Sequence, residues 1–77
     1  MANRVKLAMW TVYDHPNDYP HCYVARRYEI DSKGARPTVD IMISPNIDAL
    51  RTALSARGLI PIARSPEDDP KVVETRL

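Results

Sequence analysis

Nine residues, Asp14 to Cys22, hold five side chains able to bind a metal ion or carry a proton: Asp14, His15, Asp18, His21 and Cys22. Carboxylate, imidazole and thiolate are the ordinary ligands of zinc and related ions. Their spacing fits no ligand pattern, because structural zinc sites use paired Cys or His residues and Cys22 is the only cysteine of the chain. Asp and His are also common turn residues whose side chains bond nearby backbone. His15 and His21 are therefore weak metal candidates, and no metal or other cofactor is expected.

Nucleophilic catalysis would need Cys22 beside a base, His15 or His21, with Asp14 or Asp18 orienting the imidazole. Cys22 begins a segment whose same-face neighbours are apolar, the setting of a buried, inert thiol. The two glycines, Gly34 and Gly58, stand at turns, so no glycine-rich phosphate loop exists. No catalytic residue is assigned, and the balance points away from an enzyme. If the loop forms a pocket, its members are Asp14, His15, Asp18 and His21, joined by Arg26.

Tyr19, Tyr23 and Tyr28 with Arg26 and Arg27 raise a second chemistry, base stacking and phosphate binding on a sheet. The charge balance argues against it: 11 basic and 10 acidic side chains leave a net charge of +1. Nucleic-acid domains draw affinity from a basic excess that is missing here. Glu67-Asp68-Asp69, between prolines, reads as a solvated acidic turn, with Arg26-Arg27 as its opposite number.

The positioning elements follow from periodicity. Residues 5–13 read as a strand apolar on both faces, with Val5, Leu7, Met9, Thr11 and Tyr13 on one side and Ala8, Trp10 and Val12 on the other. Pro16 and Pro20 make 14–21 a loop. Residues 22–30 form a second strand in which Arg26 falls on the more apolar face, a conflict that a bulge or an ion pair would resolve. Asp31–Gly34 is a turn, and alternating residues 38–43 complete a hairpin. Ser44-Pro45 opens a helix, with Ser44 as its cap and Pro45 at its first position. Gly58 closes it with a left-handed residue, and Leu59 should fold back on Leu54. Residues 59–63 form an edge strand around Pro61, and 72–77 form a last short strand.

The expectation is one α+β domain over residues 1–77. Its sheet is mixed or mostly antiparallel, with four to five strands in the order β-β-β-α-β-β and one helix on one face. Composition agrees: 77 residues, 44% hydrophobic and 27% charged, describe one small core. A lone cysteine excludes an internal disulfide and makes the reducing cytoplasm the default location. The apolar stretch near the N-terminus contains Lys6 and is too short for a membrane span or a signal peptide.

One helix covers one face, so the other needs a cover. Trp10, Val12, Tyr23 and Met42 are the expected interface of a homodimer closing over it. The leading functional reading is a non-enzymatic binding or assembly module that self-associates through a sheet face. A metal-dependent protein or small enzyme using the Asp14–His21 loop is the alternative, and single-stranded nucleic-acid binding by Arg and Tyr is the second.

The segments Trp10-Thr-Val-Tyr-Asp-His-Pro16, Val24-Ala-Arg26 and Ser65-Pro-Glu-Asp-Asp-Pro-Lys-Val-Val-Glu74 resemble those of a group of small bacterial proteins of uncharacterised function. The resemblance spans most of the chain and brings no catalytic role. It implies that the Tyr13–Pro20 loop, Arg26 and the Asp68–Glu74 segment form a recurring unit.

Overall fold

Strands β1 (Leu7–Asp14), β2 (Tyr23–Asp31) and β3 (Gly34–Ser44) precede helix α1 (Ile47–Ala56), and β4 (Pro61–Ile62) and β5 (Val72–Arg76) follow it. The computed structural model describes residues 7–62 and 70–77. The start of the expected first strand, Ala63 and the acidic turn Glu67-Asp68-Asp69 lie outside them. The sheet has five strands in the order β3-β2-β1-β5-β4, every neighbouring pair antiparallel. The α+β class, the element order and the single covering helix are as the periodicity predicts.

The chain leaves one sheet edge at the end of β3, crosses through α1 and re-enters at the opposite edge in β4. The helix must therefore lie across the sheet, and its stripe meets the middle strands. Leu50 and Leu54 close a buried core with Trp10, Val12 and Ala25, and Tyr23, Met42 and Leu59 pack around it. Among the described residues, no helix is long and apolar enough to cross a membrane.

This placement corrects the expected interface. Trp10 is 3% exposed and Val12 fully buried, both beneath α1, and Tyr23 and Met42 pack against the same cluster. The Arg57 guanidinium lies 5.3 Å from the Trp10 ring centroid and closes the remaining side. Both faces of β1 are apolar, so alternation alone does not reveal which one the helix takes.

The helix start also differs. Its N-cap is Asn46, whose side-chain oxygen accepts from the N–H groups of Asp48 at 2.8 Å and Ala49 at 3.3 Å. Ser44 acts one step earlier, its Oγ accepting from the Asn46 N–H at 3.1 Å. Asn46→Ala should therefore lower stability by about 1 kcal/mol, more than Ser44→Ala; urea unfolding of the two variants checks the order. The C-terminus closes as expected: Gly58, at φ +78, and Leu59 donate to the Ser55 and Leu54 carbonyls.

Candidate functional site

The 14–22 loop is tied down by its own backbone. Asp14 N–H donates to the Lys71 carbonyl at 2.7 Å, His15 to Cys22 at 3.0 Å and Tyr19 to Pro16 at 2.9 Å. Lys71 Nζ reaches over to donate to the His15 carbonyl at 3.1 Å and to Asn17 Oδ1 at 2.9 Å. His15 takes the left-handed φ of +49 that lets the chain turn here.

The five candidate pocket residues do not converge. Asp14 pairs with Tyr23 in the β1–β2 register. Its carboxylate bonds the His15 ring, which meets the Tyr23 ring edge-on at 4.9 Å, on the helix side of the sheet. Asp18 binds Arg26, which alternation puts on the opposite side. His21 is exposed and the Cys22 thiol is free and half-buried. The five residues thus form two pairs and a single residue distributed over two faces. Among the described residues, no three His, Cys, Asp or Glu side chains gather in a way that could hold a metal. Lys71 and Arg26 both contact the 14–22 loop, Lys71 at His15 and Asn17 and Arg26 at Asp18.

Arg26 resolves its sequence conflict by pairing: it stays on the apolar face with Val24 and Tyr28 and is ion-paired to Asp18, while the β2–β3 register shift that follows it falls on β3 and does not move it. Arg27, on the helix side, faces Asp40 at 3.4 Å and Glu29 at 3.9 Å. Tyr23 and Tyr28 lie on opposite faces, and Tyr28 bonds the Tyr13 hydroxyl at 2.8 Å. A row of stacking rings backed by free arginines is not formed.

The sheet has a different outstanding feature. Pairing aligns Ile41, Arg26, Thr11, Thr75 and Ile62 in one row across all five strands, on the face away from the helix. The next row on that face holds Tyr28 and Met9, and Leu77 and Ile60 continue it through their paired backbones. Ile43, Val24 and Tyr13 form the row flanking the central one on the same face. Among the described residues, the large hydrophobic side chains left exposed are Leu7, Val39, Ile41, Ile43, Ile60, Ile62 and Leu77. Register and alternation put Leu7, Ile41, Ile43, Ile60, Ile62 and Leu77 on this one face. Val39, in the β3 bulge, is 95% exposed.

The helix side of the same β2–β3 ribbon is the internal control. Where it carries no helix it is charged, with Arg27, Glu29, Arg36 and Asp40. A face meant for water looks like that, whereas the open face is mainly apolar. Its described strand residues include one charged side chain, Arg26.

Sequence reasoning missed a second cluster, under α1. Glu74, on β5, accepts from Arg51 Nε at 2.9 Å and Arg76 Nε at 2.5 Å. Arg76, 6% exposed, also donates to Ser55 Oγ and to the Leu59 carbonyl. Burial alone would raise the Glu74 carboxyl; the bonds and charges of Arg76 and Arg51 outweigh it and hold the group below its ordinary 4.5. The signal in the sequence is the alternation of Glu74 and Arg76 with Val73 and Thr75, which puts opposite charges side by side on one strand face. No family model, curated protein or solved structure matches this chain.

Proposed function

We propose that the chain is a non-enzymatic assembly module that self-associates through the open face of its sheet, the occupant being a second copy. The observation that carries this reading is the collection, among the described residues, of six of the seven exposed large hydrophobic side chains on the face opposite α1. Size supports it. Its strands hold 8, 9, 11, 2 and 5 residues, so at about 3.4 Å per residue and about 4.8 Å between strands the face is roughly 570 Å² in projection, before side-chain relief. Stable interfaces bury roughly 600–1,000 Å² per partner. Two such faces would pack about 10 Å apart as a two-sheet sandwich.

The sheet edges favour closure by faces rather than extension by strands. β3 carries Pro37 and a bulge, and β4 is two residues long and begins with Pro61. Both devices discourage edge pairing. The lone Cys22 thiol suits a reducing compartment such as the cytoplasm. The loop offers no competing site, because its titratable groups are spread over two faces and do not converge on one point.

Methyl NMR with a soluble paramagnetic probe tests the reading. Ile41, Ile43, Ile60 and Ile62 are open in the single chain. Their methyl signals should escape broadening at high protein concentration and be broadened on dilution. Broadening independent of concentration would refute self-association through this face.

A further inference from the structure

The open face has one flaw as an interface: a guanidinium in its central row. A guanidinium buried without a counter-charge costs several kcal/mol. Arg26 is not left to find that charge on a partner, because Asp18 of its own chain supplies it. Asp18 lies in the 14–22 loop, eight residues before Arg26, and reaches it because the loop doubles back over the ends of β1 and β2. Lys71 holds the loop in that position from β5's approach. Val24 and Thr11, the neighbours of Arg26 on the same face, are buried within the single chain, so the Asp18–Arg26 pair stands at the border between this covered part and the exposed Ile41 beside it.

Building on the self-association reading, we infer that Asp18 and Arg26 together determine the specificity of the interface. The loop delivers Asp18 to neutralise Arg26, so that a second copy packing on the exposed Ile41 meets no net charge beside it. In a twofold interface the same patch meets itself, so an unpaired charge near the axis is opposed by its own copy. A bare Arg26 would face or approach a second bare Arg26, whereas the internally paired residue does not repel its copy. The loop that resembles a chemical site in the sequence thereby acquires a physical role: it carries the counter-ion of the interface.

The experiment is a double-mutant cycle read by sedimentation equilibrium on Asp18→Asn, Arg26→Leu and the double variant. Far-UV circular dichroism and thermal melts at low concentration establish that each chain folds. Asp18→Asn should weaken dimerisation at least tenfold, and adding Arg26→Leu should restore it to the parent value or tighter. A dimer constant for Asp18→Asn within twofold of the parent would overturn the inference. So would a double variant as weak as Asp18→Asn. A parent chain that stays monomeric would instead remove the self-association reading on which the inference rests.

Discussion

Glu74→Ala should cost the fold about 3–5 kcal/mol, the loss expected when one partner of a buried ion pair is removed. A chain of 77 residues has roughly 4–11 kcal/mol in total, so the variant should be largely or wholly unfolded at moderate urea. The cause is the charge left behind. Arg76 is buried between Glu74, Ser55 and the Leu59 carbonyl, and its remaining partners are neutral. Glu74→Met with Arg76→Leu should behave differently, because it removes both charges and keeps the volume. Its stability should return to within about 1–2 kcal/mol of the parent. Urea midpoints of parent, single and double variants give the comparison; a single variant as stable as the parent would show that the pair does not hold α1 to β5.

The same group makes a pH prediction. The folded Glu74 carboxyl is held below its unfolded value of 4.5. Its contribution is therefore present above that value and lost as pH falls through the folded value. The parent should lose stability on acidification below about pH 4.5, and the Met/Leu double variant should show a flatter profile over that range.

Ile41→Glu should abolish association while leaving the single chain folded. Ile41 stands in the central row of the open face and is 36% exposed in one chain, so the substitution leaves the core intact. Solvent-side changes of this kind usually move stability by no more than about 0.5 kcal/mol. In the assembled pair the new carboxylate would be buried without a partner, a penalty of about 3 kcal/mol or more. That corresponds to at least a hundredfold weaker dimer. Ala53→Glu, on the exposed side of α1, should leave association unchanged. Equal weakening by both variants would mean that general charge rather than this face governs association.

Much of the fold was legible because its local signals are strong. Gly58 with Leu59 and Leu54 specifies the helix end by geometry alone, and Asp31 to Gly34 specifies the hairpin, with Lys33 N–H bonded to Asp31 Oδ1 at 2.8 Å. The helix start was less legible. Ser44 and Asn46 are both good caps, and Pro45 between them fits either choice; the side-chain bonds go to Asn46.

The face assignment was illegible for a deeper reason. Val12 and Tyr13, or Trp10 and Met9, are equally at home under a helix or a second sheet. The choice is made by where α1 crosses, which depends on β4 lying at the far edge of the sheet. Trp10 therefore belongs to the core. The surplus apolar face persists, but Ile41, Ile43, Ile60, Ile62 and Leu7 form it. The loop was legible as a cluster of polar residues and not as two separate pairs, because alternation on β2 assigns Tyr23 and Arg26 to opposite sides only once the register is known.

The account rests on the open face being covered by a second copy. Sedimentation velocity of the unmodified chain from low to several hundred micromolar tests this most directly. The predicted result is a reversible shift with concentration from 8.8 kDa to twice that mass. A single species of 8.8 kDa at every concentration would contradict it.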